Sequence, residues 1–202
     1  VLSKTNQVIF DVGCRQDSLF INAHNNEVHF FDPCPEYIDN LQKTDSNTTT
    51  KYNKFGLSNK EEVLSWHPKN ECFLLNIPED HDWAPIDRVD LPLKRADEYI
   101  KENKIEKIDF LKIDVEGFEK KVLEGFGDSL NNVDCIQFEY GGVWKPIEWE
   151  GRGEPPTLNS VLSNLEKYGF NKFEYIGQYE NLSIENREDH YRHCNILCYK
   201  SE

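Results

Sequence analysis

The run Asp109-Phe110-Leu111-Lys112-Ile113-Asp114-Val115-Glu116-Gly117-Phe118-Glu119 sets two carboxylates and a glycine directly behind a short apolar segment. It reads as a buried strand that stops on Asp114 and Glu116 and then turns into a helix. An open α/β sheet presents its working groups at the carboxyl ends of its strands, so acids placed there are candidates for chemistry. The same grammar occurs at the front of the chain in Val8-Ile9-Phe10-Asp11-Val12-Gly13. Gly13 lets backbone approach a ligand closely, and the Asp11 carboxylate can hold an ammonium or an amide. The next strand ends in Asp32, 21 residues after Asp11 (32 − 11). An acid at that distance stands beside the first loop and can accept both hydroxyls of a ribose, which suits NAD and S-adenosylmethionine alike. The loop Gly13-Cys14-Arg15-Gln16-Asp17-Ser18 separates the two. A dinucleotide fingerprint needs three spaced glycines to seat a pyrophosphate; this loop has one glycine and an acid. A sulfonium ligand without phosphates tolerates Asp17, so the pattern favours S-adenosylmethionine.

The elements that must position these residues alternate between strand-type and helix-type runs, the mark of a mainly parallel sheet covered on both faces. Strands are predicted at Gln7–Val12, Val28–Phe31, Thr48–Leu57, Ile108–Ile113 and Val133–Phe138. Helices are predicted at Asp17–His24 (with Leu19 and Ile21 inward), Pro35–Lys43, Arg95–Asn103, Glu116–Phe126 and Thr157–Tyr168. Pro35 suits a helix start and Thr157 is a candidate N-cap. Two late strands, Phe170–Ile176 and His193–Tyr199, have no helix between them and predict an antiparallel closing hairpin. Two stretches break the rhythm, Ser58–Leu93 and Gly141–Pro156. The first carries short β-type pieces at Val63–Trp66 and Phe73–Leu75. Long irregular inserts of this kind serve as binding loops or lids. The organisation expected is one domain over residues 1–202 with elaborated loops 58–93 and 141–156.

Composition narrows the partners. Acids outnumber bases 37 to 23, a net charge of −14, which opposes a nucleic-acid backbone or an anionic membrane and suits an uncharged ligand. No run approaches the roughly 18 apolar residues of a membrane span, and no cleavable signal peptide is expected from the short polar start Val1–Asn6, before which an address could have been lost. Cys14, Cys34, Cys72, Cys135, Cys194 and Cys198 match no zinc spacing. Reduced, mostly buried thiols are expected, and with them a reducing, cytoplasmic compartment. Methionine is absent, position 1 included, which reads as a domain cut from a longer protein.

Several motifs in order carry a family resemblance: Val8–Gly13, Phe30-Phe31-Asp32-Pro33-Cys34-Pro35, Phe55-Gly56-Leu57-Ser58-Asn59, Arg95-Ala96-Asp97-Glu98, Asp109–Glu119 with Val122-Leu123-Glu124-Gly125, and Cys194-Asn195-Ile196-Leu197. Together they resemble the FkbM family of methyltransferases over nearly the whole chain. The chain departs from the family at the loop after Gly13, where a second glycine is usual, and at Asp32, where Glu is usual. The resemblance implies a class I, Rossmann-like α/β fold with a mainly parallel seven-stranded sheet, S-adenosylmethionine as donor, and transfer to oxygen, often a sugar hydroxyl. Cofactor contacts are then expected from Asp11, Gly13, Arg15, Asp32, Pro33 and Ser58.

Transfer to an alcohol requires a base or a cation to handle its proton. Asp114 and Glu139, ending neighbouring parallel strands, would face each other across one crevice. They are the catalytic candidates, with His193 (or His190) before the last strand as an alternative base. Asp114 and Glu139 are also expected ligands for a divalent ion such as Mg or Mn, with Glu116 as a third ligand or only a favourable charge at the helix start. A metal-free site stays open. Tyr140, Trp144 and Trp149 offer flat platforms for the C–H faces of a sugar, a deoxyhexose such as rhamnose suiting them best. Arg15 and Arg152 are candidates to orient acceptor or cofactor carboxylate. The reading is O-methylation of a sugar in glycan assembly, in a chain expected to be linked to glycosyltransferase domains. The alternatives are a non-catalytic glycan- or partner-binding module, and an N-methyltransferase, which the absence of an Asn/Asp-Pro-Pro-aromatic signature after the fourth strand disfavours.

Overall fold

The computed structural model of the chain describes residues 5–66, 89–140, 157–176 and 194–201. Apolar runs form the sheet: β1 (Val8–Val12), β2 (Glu27–Phe31), β3 (Lys51–Asn53), β7 (Phe110–Ile113), β8 (Cys135–Tyr140), β9 (Lys172–Ile176) and β10 (Cys194–Tyr199). They assemble as one seven-stranded sheet in the order β3-β2-β1-β7-β8-β10-β9. The first five of these in sequence pair in parallel. β10 runs antiparallel to both β8 and β9, the expected closing hairpin. The chain leaves β1 for β2 on one side and returns to β7 on the other. The carboxyl ends of β1 and β7 therefore flank a topological switch point, where open α/β sheets bind ligands.

Each helix forms because one stripe of it is apolar. α1 (Pro35–Thr44) begins on proline and buries Ile38 and Leu41. α4 (Leu158–Glu166) buries Leu158, Val161, Leu162 and Leu165, and the Thr157 hydroxyl accepts the Ser160 amide at its start. α2 (Ala96–Glu102) and α3 (Glu119–Phe126) join α4 on one sheet face, over Phe10, Val12, Leu111, Ile113, Ile136, Phe138 and Ile196. α1 covers the other face with Cys14 and Phe20, over Ile9, Val28, Phe30 and Phe110. Burial of side chains this size stabilises by about 1.5–3 kcal/mol each, so the two apolar layers clamp the strands in register.

Three sequence expectations give way. Asp17–His24 is a series of turns, not a helix. The Ser18 hydroxyl donates to Asp11 and accepts the Phe20 amide, a local bonding pattern that competes with helix. Asn22 takes a left-handed φ of 58°, and Leu19, expected inward, is 75% exposed. Thr48–Leu57 is two strands: β3 stays in the main sheet, and β4 (Gly56–Ser58) enters a second, three-stranded sheet. That sheet, ordered β4-β6-β5 with β5 (Glu62–Trp66) and β6 (Val89–Arg95), occupies both ends of the stretch expected to be an irregular loop. Residues 67–88, including the piece at Phe73–Leu75, lie outside the described residues. Finally, α3 starts three residues later than the motif suggests, because Glu116 (φ 52°) and Gly117 (φ 96°) are left-handed and cannot be its first turn.

α3 seats directly on β4. A β-carbon on Gly125 would collide with the Ser58 carbonyl oxygen. On an exposed helix, Gly→Ala gains roughly 0.5–1 kcal/mol. Here the sign is expected to reverse: Gly125→Ala should lose about 1–3 kcal/mol in urea unfolding. A stabilised variant would show that the helix is not held that close to the strand.

Candidate active site at the strand tips

Side chains alternate across a strand, so every second residue of β1 and β7 points to one face. Asp11 and Lys112 are partners in the β1–β7 register. The Lys112 ammonium lies 3.3 Å from Asp11 Oδ1 and 3.1 Å from Asp114 Oδ2, joining the acid of β1 to the acid that follows β7. Asp11 is fully buried and its other oxygen accepts from Ser18 at 2.5 Å. The ammonium that Asp11 holds is thus the chain's own. Burial pushes the Asp11 carboxyl up and Lys112 draws it back. Burial also works against the Lys112 charge, but Asp11 and Asp114 more than offset this and hold its pKa raised.

The loop after β1 wraps onto β2. Amides of Gly13 and Cys14 donate to the Phe31 carbonyl at 2.9 and 3.3 Å. Asp32, just past β2, accepts the Arg15 amide at 3.0 Å and the Cys34 amide at 2.9 Å. Burial raises its carboxyl to about 6 although both amides favour the charged form. Gly13 has a φ of 77°, and a β-carbon on it would collide with the Asp114 carbonyl oxygen. The close approach that Gly13 permits is therefore between this loop and the tip of β7. The Arg15 guanidinium lies 6.0 Å from the Tyr37 ring centre, and Pro33 is half-buried against Gly56.

On the β8 side, Ile113 pairs with Phe138, which brings Asp114 beside Glu139. Oxygens of Asp114, Glu116 and Glu139 lie within 4.8 Å of one another. The three acids read from sequence as one cluster are brought together. Burial, then the charges of Asp114, Glu116 and Glu119, push Glu139 up to about 9. On the far side of Glu139, its register partner Asn195 accepts from the Gln137 side-chain amide at 3.1 Å.

Three expected ligand contacts do not survive the packing. Asp11 is fully buried, its carboxylate taken up by Lys112 and Ser18. Ser58 is fully buried in β4 beneath α3, with no surface to offer a cofactor. Tyr140 is fully buried in the main apolar core and cannot be a platform for a sugar. Its position at the end of β8 makes it look accessible in sequence, but the side chain falls on the helix-covered face. His190, His193, Trp144, Trp149 and Arg152 lie outside the described residues. Lys112, Ser18, Asn195 and Glu119 were missed as site residues. A lysine inside a buried strand, flanked by Leu111 and Ile113, was the available signal for the first.

The strand order, with its antiparallel closing pair, is that of the class I, Rossmann-like fold expected from the family resemblance, and comparison with known proteins supports that assignment. The profile of the Methyltransferase FkbM domain matches residues 11–172. The chain belongs to the FkbM methyltransferase family. A structure of methyltransferase FkbM from Methylobacillus flagellatus KT superposes with a TM-score of 0.57 at 11% identity, over 96% of this chain and 44% of that one. The METTL16 MTase domain gives a TM-score of 0.47 at 8% identity, over 100% and 62%. A possible exported protein from Bordetella parapertussis gives 0.48 at 9% identity, over 98% and 63%. This chain thus spans less than two thirds of each of these structures. No curated protein matches the sequence. Among the described residues no helix is long and apolar enough to cross a membrane, and the five cysteines there are free thiols.

Glu139 keeps its proton in the folded chain to about pH 9, against 4.5 for the ordinary group. The folded state binds more protons in that window, so this group's contribution to stability falls as pH rises through it. Glu139→Gln removes the titration. At about pH 8 it should be more stable than the parent by about 1 kcal/mol or more, with a flatter pH profile in urea unfolding. Parallel profiles for the two proteins would show that Glu139 ionises normally.

Proposed function

We propose that this domain is an S-adenosylmethionine-dependent O-methyltransferase acting on a sugar hydroxyl, a deoxyhexose such as rhamnose being the preferred acceptor. The reading rests on one observation: the Asp114–Glu116–Glu139 cluster stands at the tips of β7 and β8, tied through Lys112 to the loop that Asp32 anchors.

The cofactor fits this crevice by its charge. Asp17 and Asp32 flank a loop with a single glycine, and that glycine is already occupied in packing against Asp114. A pyrophosphate would meet carboxylates without a cradle of amides, whereas a sulfonium carries the opposite charge. S-adenosylmethionine supplies an electrophilic methyl group. Asp32 is the residue assigned to its ribose. The backbone of Gly13–Arg15, held to β2 by the Phe31 carbonyl and Asp32, shapes the wall beside it.

The acceptor's proton is assigned to the acid cluster. Asp114, beside Glu139, is the group we assign to accept it. The donor set is entirely carboxylate, which suits a hard divalent ion such as Mg or Mn. Such an ion would supply a positive charge for the acceptor oxygen. The acids Asp114, Glu116 and Glu119 each raise the Glu139 carboxyl, a repulsion that either a proton or a cation relieves. An uncharged acceptor is consistent with the net charge of −14. Trp144 and Trp149, and glycosyltransferase domains in a longer chain, complete the proposal on the acceptor side.

A screen of simple glycosides with methyl-labelled S-adenosylmethionine tests the reading; absence of label in any sugar would reject the acceptor class. Asp32→Ala should weaken S-adenosylhomocysteine binding in calorimetry by about tenfold or more, the loss of a charge-assisted bond. Asp114→Asn should leave folding and cofactor binding intact while lowering turnover by roughly 10²–10⁴. Full turnover in Asp114→Asn would make that acid structural. Activity undiminished after exhaustive chelation would remove the cation.

A further inference from the structure

Glu119 is the first residue of α3, where an acid ordinarily projects into solvent and profits from the helix dipole. Here it folds back and is fully buried. Its Oε1 accepts the Val115 amide at 3.1 Å and the Gly117 amide at 3.2 Å. These two amides bracket Glu116, whose φ of 52° is costly for a residue with a β-carbon. The second oxygen, Oε2, is buried with no hydrogen-bond partner among the described residues. The side chain is also near enough to Asp114 and Glu139 for mutual repulsion. A buried, half-satisfied carboxylate beside other acids is an expensive way to start a helix. An exposed Ser or Asp at the N-cap would serve the helix better. Phe118 occupies the N-cap instead and makes no side-chain cap. The costly arrangement achieves a closed Asp114–Gly117 turn that presents Glu116 within reach of Asp114 and Glu139.

We infer that Glu119 is the positioning residue of the acid cluster: by accepting both amides around Glu116 it holds that residue in its left-handed conformation and aims its carboxylate at Asp114 and Glu139. The inference deepens the proposed function and rests on its reading of the cluster as the place where a cation and the acceptor hydroxyl are handled. What matters is reach and an acceptor oxygen, not the charge of Glu119. Its charge opposes the cluster. Gln has the same length and retains a carbonyl oxygen; Asp keeps the charge but is one methylene short.

The experiment compares Glu119→Gln and Glu119→Asp in the purified chain, with three readouts: Mn²⁺ affinity by electron paramagnetic resonance, S-adenosylhomocysteine affinity by calorimetry, and turnover. Glu119→Asp is expected to weaken Mn²⁺ binding and turnover by about tenfold or more while cofactor affinity stays within about threefold, since Asp32 and Gly13 are held by other bonds. Glu119→Gln is expected to stay within about threefold of the parent in Mn²⁺ affinity. Three results overturn the inference: Glu119→Asp matching the parent, Glu119→Gln falling as far as Glu119→Asp, or cofactor affinity falling in step with Mn²⁺ affinity. A parent protein that binds no Mn²⁺ rejects the cation reading instead. Turnover then decides the role of Glu119 by the same comparison of the two variants.

Discussion

The structure turns on a lysine between two aspartates. Lys112 emerges from the middle of a buried strand and reaches Asp11 on one neighbour and Asp114 at its own strand's end. Without that ammonium, a fully buried carboxylate would face a cluster of further acids with no countercharge. Desolvation would then favour protonation of Asp11 or water entry. With it, β1 and β7 share one electrostatic contact at the switch point. Ser18 extends the chain of contacts into the turn that replaces a helix, so the loop after β1 takes its shape from the same aspartate.

From this contact the two halves of the site diverge in character. On the β2 side the acid is satisfied by amides: Asp32 takes two, and its modest rise to about 6 reflects burial set against those bonds. On the β8 side the acids crowd one another, and Glu139 rises to about 9. Burial with amide partners on one side, and burial with carboxyl neighbours on the other, set the two groups apart, the kind of perturbation that clusters at functional sites.

Close backbone approach makes the divergence possible. Gly13 lets the first loop lie against the Asp114 carbonyl, and Gly125 lets α3 lie against the Ser58 carbonyl. α3 is thereby anchored between the small sheet and the main one, and its first residue can turn inward to hold the Asp114–Gly117 turn. Ser58 and Tyr140 belong to this packing rather than to a ligand, since both are fully buried.

Much of this was legible in the chain. Alternation of strand and helix patterns, the acids after Phe10 and Ile113, and the 21-residue interval between Asp11 and Asp32 follow from local chemistry and spacing. These determined the sheet class, the closing hairpin and the pairing of Asp114 with Glu139, because parallel neighbours bring equivalent tips together. Tertiary structure alone decided which acid meets which partner. That Asp11 is neutralised by Lys112, that Thr48–Leu57 divides between two sheets, and that Glu119 folds inward all depend on contacts between residues far apart in sequence or on left-handed backbone at Glu116 and Gly117. Side-chain periodicity reports which face a residue prefers; it carries no information on what the rest of the chain will set against that face.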